Sequence, residues 1–212
     1  MASYLKSLDL PPQSNIALIS KNCAHWIICD LAIMMAGHVS VPLYPNLTAS
    51  SIRKVLEHSE APILFVGKLD GWAAMEPGVP DSVRCISFPF YPHEAYAQWY
   101  DVIEDQSPIA DVHRAKEELM TIIYTSGTTG MPKGVMHSFD AVAFAITEGV
   151  KFIGLTERER FFSYLPLAHV GERLVVEMGS LYAGGAVYYA ETIDSFTKNM
   201  QDAQPTALLG VH

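Results

Sequence analysis

One segment of the sequence concentrates residues that can bind an anion and act on it. It reads TIIYTSGTTGMPKGV over 121–135, where an apolar run breaks into hydroxyls and glycines and is followed by a single lysine. Small residues at 126–130 allow backbone N–H groups to converge on an anion, and Lys133 supplies a mobile positive charge. The hydroxyl donors are Thr125, Ser126, Thr128 and Thr129. Together these residue types predict a polyphosphate-binding loop.

Two other interpretations of this segment are weaker. A Gly/Ser/Thr-rich turn between two strands accounts for the small residues but gives no role to the lysine. A Walker A loop has the pattern G-x-x-x-x-G-K-[ST], in which the lysine opens a helix. Here Pro132 precedes Lys133, and Gly134 begins a strand. The segment is therefore not predicted to be the loop of a P-loop NTPase.

Composition and charge limit the classes of protein that fit. Half of the 212 residues are hydrophobic and 17% are charged, which is enough to bury a sizeable core. The formal net charge of -9, without any run of Lys and Arg, disfavours nucleic acid as a partner. The most apolar helical segment, 26–37, is too short to span a bilayer, and the N-terminus lacks a signal-peptide pattern. The three cysteines, with no C-x-x-C pair, suit reduced core thiols. The sequence predicts a soluble, cytoplasmic chain.

Short β-rich runs alternate with segments of helical period along the whole chain. Strands are predicted at 15–20, 39–44, 61–67, 83–88, 119–125, 134–137, 161–167, 186–190 and 206–211. Helices are predicted at 22–37, 48–59, 68–75, 140–154, 169–183 and 194–203, with a further short helix ending near 104. Several strands are apolar throughout, which is typical of parallel sheets covered by helices on both faces. We therefore predict an α/β fold with a first half at about 15–110 and a second at about 116–212.

Two motifs carry a resemblance to a known family. YTSGTTGMPKGV, at 124–135, resembles the phosphate-loop signature of the adenylate-forming (AMP-binding) superfamily, which includes acyl-CoA synthetases. YLPLAHVGER, at 164–173, is similar to the motif that follows in those synthetases, in the form found in the long-chain fatty-acid branch. The segment from 36 to 67 also resembles that branch, so the resemblance covers nearly all of 15–212. It implies that the chain is part of the large N-terminal domain of such an enzyme.

The resemblance also implies an activity and a set of residue roles. A fatty carboxylate would attack the α-phosphate of ATP to give acyl-AMP, and coenzyme A would then displace AMP. The phosphate-binding residues would be Thr125, Ser126, Gly127, Thr128, Thr129 and Gly130. Thr128 would also help to orient Mg²⁺, and Lys133 would lie near the departing pyrophosphate. His169 would sit beside the acyl and adenylate site.

Two other readings concern the residues that follow His169. His169 and Glu172 form an H-x-x-E pair, but a catalytic zinc needs more protein ligands than this pair supplies. Glu172 and Arg173 would instead form an ion pair at a helix end, where the macrodipole favours a glutamate in the first turn.

Parts of the family pattern do not appear in the 212 residues. These are a Y-G-x-T-E segment with a magnesium-binding glutamate, an aspartate for the ribose, a hinge, and a C-terminal domain with a catalytic lysine. We therefore expect an incomplete N-terminal portion that is inactive alone, with a parent that could also associate peripherally with the inner face of a membrane. The alternatives are another adenylate-forming ligase, for aryl or other carboxylic acids, and a non-catalytic nucleotide-binding module. Acyl chain length and oligomeric state are not predicted.

Overall fold

The protein is described by a computed structural model that covers residues 1–125, 132–192 and 194–210. The chain groups into two compact units, Met1–Phe139 and Asp140–His212. The division into halves at about 110–116 stays a prediction about domain organisation. No helix in the described ranges combines the length and the hydropathy that crossing a bilayer requires.

The first unit is built on one seven-stranded sheet. Its strands are β1 (Asn15–Ile19), β2 (Val39–Leu43), β3 (Ile63–Val66), β4 (Arg84–Ser87), β5 (Ala97–Gln98), β6 (Leu119–Thr125) and β7 (Lys133–Ser138). Its helices are α1 (Ala2–Ser7), α2 (Ala24–Met35), α3 (Ala49–Ser59), α4 (Trp72–Met75) and α5 (Trp99–Ile103), with a 3₁₀ turn at Glu76–Gly78. The strand order is β5-β4-β3-β1-β2-β6-β7, and every neighbouring pair is parallel except β6 and β7. The predicted α/β class with a largely parallel sheet is confirmed.

The central strands β2 and β3 are buried on both faces, and they are apolar except for Ser40 in β2. Every residue of β2 and β3 is buried, as the continuous apolar runs predicted. The helix α3 begins after Thr48, whose hydroxyl accepts a hydrogen bond from the backbone N–H of Ser51 at 3.3 Å. One face of α3 contributes Ile52, Val55 and Leu56 to the core formed with these strands. Tyr124, near the end of β6, belongs to the same core and is 7% exposed.

The second unit contains a smaller parallel pair of strands. Its elements are α6 (Phe139–Ile153), which begins at the last residue of the first unit, β8 (Arg160–Ser163), α7 (Val170–Glu172), a π-helix at Arg173–Met178, α8 (Gly179–Ala183), β9 (Ala186–Tyr189) and α9 (Phe196–Ala203). β8 and β9 pair in parallel, and Ala207 adds a single parallel bridge to Phe161.

Several element boundaries differ from the sequence prediction for identifiable reasons. The strand predicted at 161–167 ends at Ser163, because Tyr164 donates its N–H to a side chain and Pro166 has none to give. The strand predicted at 206–211 is reduced to the bridge at Ala207 within the described residues. The helix predicted at 169–183 is present, but a π-helical segment interrupts it. The six-residue α1 was not predicted, because so short a segment carries too little periodic signal.

Candidate functional site

The predicted phosphate loop connects two neighbouring antiparallel strands, β6 and β7. Thr125, the last residue of β6, pairs across the antiparallel ladder with Lys133, the first residue of β7. Both side chains are exposed. The structure therefore brings together the two loop residues at either end of the signature. Ser126, Gly127, Thr128, Thr129 and Gly130 lie outside the described residues, so their predicted roles stay predictions.

Tyr124 anchors the loop end of β6 to a helix. Its hydroxyl lies 2.7 Å from Nδ1 of His58, which is in the last turn of α3. The two rings meet edge to face, with centroids 5.7 Å apart and planes at 87°. Burial raises the pKa of the Tyr124 phenol, so it stays protonated at neutral pH. The residue next to Thr125 is thus fixed by a hydrogen bond and by its packing in the core.

Gly134 allows β7 to lie close to Tyr124. A Cβ at Gly134 would be 2.7 Å from Cγ2 of Ile122, which is closer than real Cβ atoms come, and 3.3 Å from Cζ of Tyr124, which is a tight contact. Gly134 is paired directly with Tyr124 in the ladder. The glycine that follows Lys133 in the signature therefore has a packing role, which the sequence did not reveal.

His169 lies in the second unit and caps the first turn of α7. Its side chain is exposed, and its Nδ1 accepts a hydrogen bond from the backbone N–H of Gly171 at 3.1 Å. Because Nδ1 accepts, a neutral ring carries its proton on Nε2. His169 thus presents a hydrogen-bond donor on the side of the ring that faces away from the helix N-terminus. His169 and Lys133 belong to different compact units.

Glu172 is a fully buried carboxyl whose hydrogen-bond partners differ from the ion pair that the sequence predicted. Its Oε1 accepts hydrogen bonds from the Ser163 hydroxyl and from the backbone N–H of Tyr164, each at 3.0 Å. The backbone N–H of Leu165 also bonds to this carboxyl. Oε2 has no hydrogen-bond partner among the described residues. Burial raises the pKa of Glu172 to about 7, and these three donors oppose part of that rise.

The prediction of an ion pair between Glu172 and Arg173 is wrong. Arg173 pairs with Glu177, one helical turn further on, with Nε 3.3 Å from Oε2. Arg173 and Glu177 are both buried. Glu172 instead accepts hydrogen bonds from Ser163, at the end of β8, and from Tyr164, which follows that strand. His169 and Glu172 also face different surroundings, since one is exposed and the other is fully buried. No cluster of three or more His, Cys, Asp or Glu suited to a metal ion occurs within 1–125, 132–192 and 194–210.

Comparison with known proteins places this α/β sheet and its loop motif in a family. The family model for the AMP-binding enzyme matches residues 1–212. The chain therefore belongs to the AMP-binding enzyme family, and the predicted resemblance is confirmed.

Its relatives include named acyl-CoA synthetases. Fatty acyl-CoA synthetase A of Dictyostelium discoideum is 30% identical, over 99% of this chain and 34% of that protein. Long chain acyl-CoA synthetase 2 of Arabidopsis thaliana is 29% identical, over 100% of this chain and 35% of that protein. The chain thus spans about a third of the length of these relatives. The solved structure of the anthranilate CoA ligase AuaEII with anthranoyl-AMP shares the fold with a TM-score of 0.85, at 22% identity, over 98% of this chain and 42% of that one.

Proposed function

We propose that the longer protein carrying this sequence is an ATP-dependent fatty-acyl-CoA synthetase of the long-chain type. A carboxylate oxygen of the fatty acid attacks the α-phosphorus of ATP, the bond to the β-phosphate oxygen breaks, and acyl-AMP and pyrophosphate result. The thiolate of coenzyme A then attacks the acyl carbon and releases AMP. The observation that carries the proposal is the exposed pair of Thr125 and Lys133 at the ends of the signature loop, in a chain whose relatives are named acyl-CoA synthetases.

The roles within this site follow from where charge develops. Lys133 neutralises charge on the departing pyrophosphate, since its exposed ammonium stands at the exit of the loop. Thr125, Ser126, Gly127, Thr128, Thr129 and Gly130 hold the β- and γ-phosphates through backbone N–H and hydroxyl groups. The hydroxyl of Thr128 would help to hold Mg²⁺, which takes oxygen ligands and would neutralise charge on the phosphates.

His169 serves the acyl side of the reaction in this proposal. Its exposed ring, with Nε2 as donor, is suited to contact the carboxylate or the acyl-adenylate. We also propose that the longer protein is cytoplasmic and associates peripherally with the inner face of a membrane. We further propose that residues 1–212 do not catalyse the reaction by themselves. The lack of activity follows because adenylation needs the ribose, the metal and the catalytic lysine of the family's C-terminal domain to be held together.

The test is pyrophosphate exchange by the longer protein with ATP, Mg²⁺ and one carboxylic acid at a time. We expect exchange with palmitate and little with anthranilate, and acyl-CoA formation once coenzyme A is added. Exchange with anthranilate alone would favour an aryl ligase. ATP binding with no exchange for any acid would favour a nucleotide-binding module. The 212-residue chain, assayed in parallel, is expected to show no exchange.

A further inference from the structure

A short connection in the second unit is held at both ends by one helix. This connection, residues 164–168, joins β8 to α7 and is named here the 164–168 connection. It lies outside regular secondary structure, so its backbone N–H groups need partners from elsewhere. Tyr164 and Leu165 find that partner in the carboxyl of Glu172, which belongs to α7.

The other end of the 164–168 connection is closed by His169. The backbone N–H of His169 donates to the carbonyl of Pro166 at 2.8 Å, and its own carbonyl accepts from Arg173 at 3.0 Å. Its ring accepts from Gly171 through Nδ1. Because Glu172 holds the start of the connection and His169 ends it on the same helix turn, the backbone position of His169 depends on where Glu172 holds residues 164 and 165.

The hydrogen bonds of Glu172 go to the strand end and the connection, not to the helix core. Ser163, at the end of β8, adds a third donor to the same carboxyl, so one side chain ties together β8, the connection and α7. Glu177 provides a contrast, because it is equally buried but pairs with Arg173 inside the helix. Glu172 and Glu177 are thus equally buried, but Glu172 bonds to residues outside its helix and Glu177 pairs with a residue of its own helix.

We propose that Glu172 is a positioning residue for His169. Its carboxyl fixes the 164–168 connection so that the His169 ring stands in a single place with Nε2 outward. This inference rests on the proposed function only for what His169 then contacts, the fatty carboxylate or its adenylate. Loss of the hold on Tyr164 and Leu165 would let His169 shift and would weaken use of the fatty acid.

The test uses Glu172→Asp, Glu172→Gln and Glu177→Asp in the longer protein. Aspartate keeps the carboxyl group but withdraws the acceptor by one methylene, whereas glutamine keeps an acceptor oxygen at the original reach. Amide hydrogen exchange over residues 164–169 measures the hold directly. In Glu172→Asp we expect exchange there to rise about tenfold, because the hydrogen bonds that protect the backbone N–H groups of Tyr164 and Leu165 are weakened. The KM for the fatty acid should also rise roughly tenfold, and the KM for ATP should stay unchanged.

The other two variants separate positioning from general stability. Glu172→Gln should retain protection and KM near the wild-type values. Glu177→Asp should lower the melting temperature through its buried ion pair but leave exchange at 164–169 and the fatty-acid KM unchanged. Unchanged exchange in Glu172→Asp, or an equal rise in Glu177→Asp, would overturn the proposal. If exchange responds as expected while the wild-type protein activates no fatty acid, the positioning stands and the proposed function fails.

Discussion

The hydroxyl of Tyr124 and Nδ1 of His58 lie 2.7 Å apart and connect the strand before the phosphate loop to the end of α3. The residues are far apart in sequence, and the Tyr124 ring is part of the core beneath the central strands. A single side-chain hydrogen bond therefore couples the helix to the point where the loop begins.

This contact should appear as a coupling energy. Tyr124→Phe and His58→Ala should each destabilise the protein, and the double variant should lose less than the sum by about 1 kcal/mol, the usual net value of one such hydrogen bond. Denaturant unfolding of the four proteins of this cycle measures the coupling. Strictly additive losses would show that the two side chains do not interact in solution.

Substitution of Gly134 by alanine should destabilise the protein. The added methyl group would meet Ile122 and Tyr124 at 2.7 and 3.3 Å, and such overpacking costs about 1–3 kcal/mol. Gly149→Ala is the matched control, since Gly149 lies in α6 and an added Cβ there meets nothing within 4 Å. That variant should be neutral or gain about 0.5–1 kcal/mol of helix stability. Equal melting temperatures for the two variants would contradict the packing role of Gly134.

Lys133→Ala should impair adenylation and leave folding intact. The side chain is exposed, so its removal costs little stability. Loss of one charge contact in the transition state raises the barrier by about 2–4 kcal/mol, or roughly a hundredfold or more in rate. Lys116→Ala, at another exposed lysine, is the control and should keep the full rate. Fatty acid-dependent pyrophosphate exchange measures both, and an undiminished rate in Lys133→Ala would remove Lys133 from the proposed site.

The carboxyl of Glu172 should make stability fall as the pH rises. Its pKa is about 7 in the folded state against 4.5 ordinarily, so between those values the folded state binds the extra proton. The associated stability is fully present below about pH 4.5 and is lost as the pH passes through 7. The difference is on the order of 3 kcal/mol.

The Glu172→Gln variant has no titrating group at this position, so its comparison with wild type isolates the effect of the Glu172 proton. The free energies of unfolding of wild type and Glu172→Gln are measured from pH 4.5 to 8. The free energy of unfolding of wild type should fall relative to that of Glu172→Gln as the pH rises through 7. Parallel curves would mean that Glu172 titrates near its ordinary value in the folded protein.

The sequence predicted the architecture well wherever local signals were strong. β6 was predicted at 119–125 and is found at Leu119–Thr125, because an apolar β-rich run ends abruptly at hydroxyl and glycine residues. The helical period likewise predicted a helix at 48–59, and α3 is found at Ala49–Ser59. The loop signature identified Thr125 and Lys133, and the ladder brings them opposite each other.

What the sequence could not supply depends on contacts between distant residues. The partner of Glu172 is a strand end nine positions earlier, and nothing in the local pattern separates that arrangement from an ion pair with Arg173. The hydrogen bond from Tyr124 to His58 joins two elements whose proximity exists only after the sheet has formed. The short β5 and α1 form through neighbours rather than propensity, since two and six residues carry too little periodic signal.

The π-helical segment Arg173–Met178 changes how the following residues should be compared with those of relatives. A π turn holds one residue more than an α turn, so every side chain beyond it is rotated by about 100° around the helix axis. A single helical wheel drawn from Val170 to Ala183 would therefore assign the wrong face to α8. A relative with an uninterrupted α-helix here would align correctly only with a one-residue gap inside this segment, and that gap would record a local insertion in a helix that is otherwise shared.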